Sequence, residues 1–338
     1  MLKQVQHDGI GMSWEKELEE LRAREALAEQ MGGADKVARQ HGRGKMDARA
    51  RLAAICDPGS FREVGKIAGK GAYDENGDLT GLTPAPFLFG KATVNGRPVV
   101  ATADDFTIRG GAADAGIARK MLQAEQMAAE YRMPIIRMID GTGGGGSVKT
   151  LEMVGATYIP ASPGWDKVVR NLDEVPVVAL ALGPTAGLGA ARAVASHYSI
   201  MVKGLSQIFA AGPAVVSAMG SDYEQPSDHG QAKEALGGSE IHTRNGVIDD
   251  EVASEAEAFA RARHFLSFMH EHVGQLARRA ACNATADRHD EALLSLVPRD
   301  DKQVYSMRRA MEMVLDQGTV FEIGRNWGRA AITALARL

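Results

Sequence analysis

Residues 175–194 read VPVVALALGPTAGLGAARAV, and this stretch decides the fold. It opens with an unbroken apolar run, Val177 to Leu182, whose length and branching are typical of a strand buried on both faces. A glycine-rich turn follows, and the small residues from Ala190 to Ala195 then favour a helix. Backbone N–H groups at the start of a helix have no intrahelical partner, and glycines let an oxygen approach them. The stretch therefore predicts a main-chain site for an anion or oxyanion.

A second stretch repeats this arrangement. Residues Ile135 to Ile139, which read IIRMI, are another short candidate for a buried strand and end in the segment DGTGGGGS at 140–147. Two strand–glycine–helix units in one chain predict parallel strands whose loops meet at a shared cleft. In the alternative interpretation, the glycines only make tight turns.

The dipeptide Asn95-Gly96 stands between two segments that favour strands, 87–94 and 98–103, and predicts a β-hairpin. The second segment leads through DDFTIR to another glycine pair, Gly110-Gly111. Three glycine-bearing loops therefore follow three predicted strands in series.

Composition limits the class of protein. A chain of 338 residues, 45% of them hydrophobic, is long enough for one large globular domain or two. The net charge of −4 gives no indication of a nucleic-acid surface, and no apolar run approaches the roughly 20 residues that span a bilayer. Cys56 and Cys282 lie far apart without metal-ligand spacing, which fits a reducing compartment. We expect a cytoplasmic protein that holds no metal and binds neither nucleic acid nor a membrane.

The charged residues near the N-terminus have two interpretations. A basic connector, HGRGK at 41–45, is followed by MDARARL at 46–52. These charges could meet a phosphate, but such a run more often forms a solvated face, and we expect a solvated face here.

The chain also repeats itself over a long distance. The segment LAAICDPGSFREVG at 52–65 returns without gaps as MEMVLDQGTVFEIG at 311–324, so that Ser60 falls on Thr319 (319 − 60 = 259). Long-period self-similarity indicates duplication. We expect two copies of one domain, the second cut off soon after it begins, and a chance match is the alternative.

Several short segments together resemble the carboxyltransferase (β) subunit of biotin-dependent acyl-CoA carboxylases, the propionyl-CoA carboxylase type above all. They run in the family's order from about Gly44 to Leu338: RARL at 49–52, DPGSF at 57–61, DFTIRGG at 105–111, GPTAG at 183–187, and LGGS at 236–239 with His242. The resemblance implies an α/β protein with a crotonase-like ββα superhelix, in which an N-terminal carboxyltransferase domain is followed by the start of a second homologous domain. We divide the chain accordingly into a helical leader (1–48), the N-terminal domain (49–272), a connector (273–299) and the truncated start of the second domain (300–338).

The resemblance also implies an activity. In this family a carboxyl group passes from carboxybiotin to the α-carbon of an acyl-CoA, through an enolate that backbone amides stabilise. The chain would then be an enzyme of the ligase or transferase kind, with acyl-CoA as substrate. Biotin would be its cofactor, carried on a separate biotin carboxylase/biotin carrier subunit. The chain itself would form a homo-oligomer, with dimer pairs within a hexamer.

Site residues follow from the same resemblance. The implied roles are a catalytic amide pair at Gly187 and Leu188, and a CoA cleft lined by Gly110, Gly111, Gly143, Gly144 and Ala186. Two features depart from the family pattern. Leu188 stands where a second glycine is usual, and the loop at 140–147 replaces a Ser-Gly-Gly-Ala segment followed by arginine. These departures leave the acyl substrate open.

Other functions remain as alternatives. The glycines at 141, 143 and 146 match a dinucleotide-binding fingerprint, but the acidic residue about 20 positions on, Asp166, lies too near Pro163-Gly164 to stand at a strand end and bind a ribose. A biotin-independent crotonase-like hydratase or decarboxylase would need acid/base carboxylates, of which the glycine loops offer only Asp140. A non-catalytic CoA-binding assembly subunit would keep the fold and the cleft alone.

Overall fold

A computed structural model describes residues 14–111, 118–141, 164–212, 229–281 and 287–338. Gly143 and Gly144, which the sequence places in the CoA cleft, and Cys282 lie outside these ranges.

The chain alternates strands and helices, as an α/β sequence should. The strands are β1 (Arg62–Glu63), β2 (Gly69–Tyr73), β3 (Leu79–Pro84), β4 (Phe87–Val94), β5 (Arg97–Asp104), β6 (Ile135–Ile139), β7 (Val177–Ala181), β8 (Pro184–Ala186), β9 (Tyr198–Val202), β10 (Gln207–Phe209), β11 (Asp250–Val252), β12 (Phe321–Ile323) and β13 (Thr333–Leu335). The helices are α1 (Glu15–Glu29), α2 (Ala34–His41), α3 (Ala48–Ile55), α4 (Ala118–Tyr131), α5 (Trp165–Glu174), α6 (Leu188–Val194), α7 (His229–Gly237), α8 (Ser239–Arg244), α9 (Glu255–Phe268), α10 (Leu293–Leu296) and α11 (Met307–Val314).

Seven strands form the central sheet, in the order β1-β4-β5-β6-β7-β9-β11. The pairs β1–β4 and β4–β5 are antiparallel, and every pair from β5 to β11 is parallel. The predicted hairpin is β4–β5, and its turn residues Asn95 and Gly96 both have positive φ, as a type I′ turn requires. Because β5, β6 and β7 are parallel neighbours, their carboxyl ends share one edge of the sheet, as the sequence predicted.

Both faces of the sheet are covered by helices. On one face Leu88 and Ile136 pack with Ile55 of α3 and Phe259 of α9. On the other face the alternate residues, such as Phe89, pack against α4. Every residue of β6 and β7 is therefore buried, which explains the continuous apolar run of β7 and the apolar residues around Arg137 in β6.

The sequence repeat is also a structural repeat. Ser60 Oγ donates to the carbonyl of Asp57 at 2.7 Å, and Thr319 Oγ1 donates to that of Asp316 at the same distance. Antiparallel pairing of β12 with β13 corresponds to that of β1 with β4. Each copy also joins its helix to its first strand by one ion pair, Arg49–Glu63 and Arg308–Glu322. The two segments thus share backbone, hydrogen bonds and charge, whereas the domain boundaries remain predictions.

Phe321 attaches the second copy to the first. Its completely buried ring meets Tyr198 edge-on, with ring centroids 5.2 Å apart, and the guanidinium of Arg261 lies 4.0 Å from its centre. Arg261 Nη2 also donates to the carbonyl of Glu322 at 3.0 Å. The C-terminal segment is therefore part of the same packed body as α9.

One predicted helix begins later than its sequence pattern indicated. The pattern predicts a helix over 251–271, but residues 250–252 form the edge strand β11 and the helix α9 begins at Glu255. Ser254 caps it by accepting from the amide of Glu257, and this cap sets the start of the helix. None of the described helices is both long and apolar enough to span a membrane.

Candidate functional site

The loops that follow β5 and β6 touch through their backbones. A Cβ atom added to Gly111 would lie 2.6 Å from the carbonyl oxygen of Asp140, and one added to Gly141 would lie 2.7 Å from the carbonyl oxygen of Gly111. Both distances are shorter than any real Cβ contact, so only glycine fits at either position. Gly110 and Gly111 both have positive φ, and together they form the tight end of the first loop.

The loop after β7 joins the other two. The amide of Ala186 donates to the carbonyl of Gly141 at 3.3 Å. A Cβ on Gly189 would lie 3.1 Å from that same oxygen. Five of the residues predicted from the sequence, Gly110, Gly111, Ala186, Gly187 and Leu188, therefore belong to loops that meet at one edge of the sheet.

The helix α6 starts at this meeting point. Gly187 precedes it with φ 56° and ψ −119°, a conformation that residues with a side chain avoid. The amides of Leu188, Gly189 and Ala190 have no hydrogen-bond acceptor within the described ranges, and the amide of Ala191 is the first to bond back, to Gly187. Leu188 has no positive φ, so this departure from the family's second glycine adds no backbone strain.

The amide of Gly187 is not a free donor in this structure. It donates to the carbonyl of Phe209 at 3.2 Å, because the pairing of β8 with β10 continues one residue beyond Ala186. Among the described residues, the amides here that lack an acceptor are those of Leu188 and the two residues after it. The role of Gly187 and Leu188 as a catalytic amide pair stays a prediction.

Behind the loops lies a cluster of four buried charges. The carboxylate of Asp140 is 2.6 Å from Lys45 Nζ and 2.7 Å from Arg51 Nη1. Arg51 also donates to the carbonyl of Leu182 at 2.9 Å and pairs with Glu255 at 2.6 Å. Burial lowers the pKa of Lys45, and the nearby Asp140 only partly opposes this. The cluster fixes the carboxyl ends of β6 and β7 to the connector before α3 and to α9.

This cluster was not expected from the sequence, which predicted a solvated face over 41–52. Arg51 is fully buried and Lys45 nearly so. Residues 41–44 are exposed as expected, but the expectation fails at Lys45 and Arg51. It fails there because Asp140, 95 residues after Lys45, supplies the opposite charge from the loop after β6. The pattern of charges along the connector could not show this.

A second buried pair holds α6 against the sheet. Asp104 accepts from the amide of Asp140 and from Arg192 Nη1, both at 3.2 Å. Burial raises the pKa of Asp104, and Arg192 opposes this effect. At the same end of α6, Arg137 donates to the carbonyl of Ala195, the C-cap, at 2.6 Å. The C-terminal turn of α6 is thus fixed against the sheet.

Chemically, this edge of the sheet offers main-chain donors at the positive end of a short helix. Such donors stabilise negative charge that develops on an oxygen, without any side-chain nucleophile. Within the described ranges, no group of three or more His, Cys, Asp or Glu side chains is placed to hold a metal ion.

Comparison with known proteins identifies the class. The model of the carboxyl transferase domain family matches residues 39–338. The fold is that of the crotonase-like carboxyltransferases: a crystal structure of transcarboxylase 12S, a hexamer with hydrolysed methylmalonyl-coenzyme A bound, superposes with a TM-score of 0.79 at 28% identity, over 98% of this chain and 63% of that one. The chain belongs to the carboxyl transferase domain family.

Two curated relatives are similar along almost the whole chain. The propionyl-CoA carboxylase beta chain of Roseobacter denitrificans is 30% identical over 95% of this chain. The methylmalonyl-CoA decarboxylase subunit alpha of Veillonella parvula is 27% identical over 96%. The chain spans 61% of the length of each relative.

Proposed function

We propose that the chain is the carboxyltransferase component of a biotin-dependent acyl-CoA carboxylase, moving a carboxyl group from carboxybiotin to the α-carbon of an acyl-CoA. The family match over residues 39–338 carries this proposal. The relatives named for propionyl-CoA and methylmalonyl-CoA support a short acyl chain. The hexamer of transcarboxylase 12S supports a homo-oligomer of the same kind. We propose that this oligomer acts in the cytoplasm.

The proposed role of the chain is to stabilise an enolate. A thioester oxygen placed at the start of α6 would meet the free amides of Leu188, Gly189 and Ala190. Each donor aimed at charge that grows in the transition state lowers the barrier by roughly 3 kcal/mol in a dry site. Gly187 has no side chain to obstruct that approach. The CoA portion would pass the loops of Gly110 and Ala186 and, in the segment outside the described ranges, Gly143 and Gly144.

Biotin, brought by a separate carrier subunit, would supply the carboxyl group and a nitrogen that accepts the α-proton. The main-chain N–H groups at the start of α6 fit the role of binding the acyl-CoA, since such groups stabilise negative charge on a thioester oxygen. The chain's contribution is to orient the thioester and to hold its charge.

The alternative functions are supported unequally. A biotin-independent hydratase or decarboxylase needs a carboxylate free for proton transfer, and Asp140 is fully buried between Lys45 and Arg51. A non-catalytic CoA-binding assembly subunit is favoured by one observation: the amide of Gly187 is already bonded to Phe209.

One assay separates the three functions. The assembled protein is mixed with an acyl-CoA and with a carrier that bears carboxybiotin, and loss of carboxybiotin and gain of carboxylated acyl-CoA are both measured. A carboxyltransferase gives the two in equal amounts. Acyl-CoA turnover without the carrier indicates a hydratase or decarboxylase. CoA binding with no turnover indicates an assembly subunit, and either of these results refutes the proposal.

A further inference from the structure

A groove beside the edge strand β11 gathers arginines from three distant parts of the chain. It has a volume of about 800 Å³ and is lined by Arg244, Arg308, Arg325, Asn326 and Arg329. Arg244 ends α8, Arg308 lies in the first turn of α11, and the other three residues follow β12. The groove is therefore a product of the fold.

The groove is held in shape by packing. The ring of Trp327 covers Gly246 so closely that a Cβ atom there would lie 2.8 Å from it. Asn326 Nδ2 lies 3.4 Å from Thr243 Oγ1 and 3.5 Å from Glu251 Oε1. These contacts fix the loop after β12 against α8, so the guanidinium groups surround a preformed space.

Positive charge exceeds negative charge at the groove. Glu322 pairs with Arg308 and lies 3.9 Å from Arg325, and Glu240 pairs with Arg244 at 2.6 Å. A third carboxylate, that of Glu251, contacts Asn326 and accepts a hydrogen bond from Ser239 Oγ at 2.8 Å. The four arginines therefore face three carboxylates.

Arg329 is the residue that leaves this charge unbalanced. Its guanidinium has neither a hydrogen bond nor an ion pair with any residue that the structure describes. It is therefore available to a ligand.

We propose that this groove binds a phosphate-bearing ligand through a diphosphate group. A planar guanidinium can donate two parallel hydrogen bonds to two oxygens of one phosphate. Several guanidinium groups around one space therefore suit a ligand group with more than one negative charge. A volume of about 800 Å³ is enough for a ligand of nucleotide size. The diphosphate could belong to a free nucleotide or to a CoA. The residues that line the groove include none from the glycine loops at β5–β7, and the proposal stands whether or not the chain transfers carboxyl groups.

The test is a calorimetric titration of the assembled protein with pyrophosphate, ATP and CoA at low salt. The variants are Arg329→Gln, Arg325→Gln and the charge-retaining Arg329→Lys. The matched control is Arg279→Gln, since Arg279 is exposed on the connector away from the groove. We expect saturable binding of pyrophosphate and ATP that each Gln variant weakens roughly tenfold, as the loss of one charge-assisted contact would. Arg329→Lys should fall in between, and Arg279→Gln should match the parent.

The ligands distinguish the source of the phosphate. Binding of ATP and pyrophosphate without CoA indicates free nucleotides, and binding of CoA in competition with pyrophosphate indicates the diphosphate of CoA. The proposal is overturned if none of the three binds saturably, or if Arg279→Gln weakens binding as much as Arg329→Gln. Urea midpoints of the variants check that each remains folded.

Discussion

Arg51 Nη1 lies 2.7 Å from the carboxylate of Asp140, and both side chains are completely buried. A charge removed from water must be paired, and each partner here is held by further contacts, Arg51 by Glu255 and Asp140 by Lys45. Asp140, which follows β6 and begins the second glycine loop, is thus fixed by charges from outside the sheet.

Replacing Lys45 by methionine tests this cluster. The three remaining charges, Arg51, Asp140 and Glu255, would then have a net charge of −1, so we expect the free energy of unfolding to fall by about 2–3 kcal/mol. Urea denaturation measures the change. Lys36→Met, on the exposed side of α2, is the control and should change stability by less than about 0.5 kcal/mol. Equal stability of the two variants would show that Lys45 is dispensable.

Leu188→Pro tests the proposed oxyanion donor. Proline is well accepted at the first position of a helix, where it removes the amide hydrogen without breaking an intrahelical bond. We expect kcat for carboxyl transfer to fall by roughly 10²- to 10³-fold, the usual effect of losing one such donor. Leu188→Ala keeps the amide and should retain most of the activity. A Leu188→Pro enzyme that is folded and as active as Leu188→Ala would rule out the donor role.

Because the carboxyl of Asp105 is buried, we expect the stability of the fold to depend on pH. Its buried carboxyl accepts from Thr107, while Oδ2 has no partner in the described part of the chain. Burial raises its pKa above the ordinary value of 3.8, and the Thr107 hydrogen bonds only partly oppose this. The folded state therefore binds a proton that the unfolded state has released, and this contribution to stability is lost as pH rises from about 4 through the folded pKa.

Asp105→Asn removes that titration. Relative to the parent, the variant should gain stability as pH is raised from about 4 to 7, because only the parent must ionise a buried carboxyl. Urea midpoints at several pH values provide the measurement. A difference between the two proteins that stays constant with pH would contradict the prediction.

Phe321→Ala tests whether the second copy is part of the main fold. Loss of a fully buried phenylalanine costs about 3–5 kcal/mol when the cavity cannot collapse, and Tyr198 and Phe265 border this one. We expect a lower midpoint of unfolding for the whole chain, and circular dichroism measures this transition. Val304→Ala, at a side chain that is 97% exposed, should have almost no effect. A second, separate transition in Phe321→Ala would instead mean that the C-terminal segment unfolds independently.

Local patterns predicted the elements that carry the site. The limits of β6 match the strand predicted at 135–139, and the hairpin β4–β5 forms around Asn95-Gly96. Such features depend on neighbouring residues, whose preferences can be read directly from the chain.

Long-range partners were not predictable in the same way. The amide of Gly187 donates to the carbonyl of Phe209, which lies 22 residues further on (209 − 187 = 22) in the strand β10. Arg51 is buried because Glu255 and Asp140 meet it from distant elements. A single sequence contains no local sign of such pairings, so the missed residues are those whose partners the fold brings from afar.

The ion pair between Arg51 and Glu255 joins positions 204 residues apart. During synthesis, the ribosome adds Glu255 more than two hundred steps after Arg51. Until then the turn beside Asp140 lacks one of its supports, so the nascent protein completes this region only after Glu255 has been added.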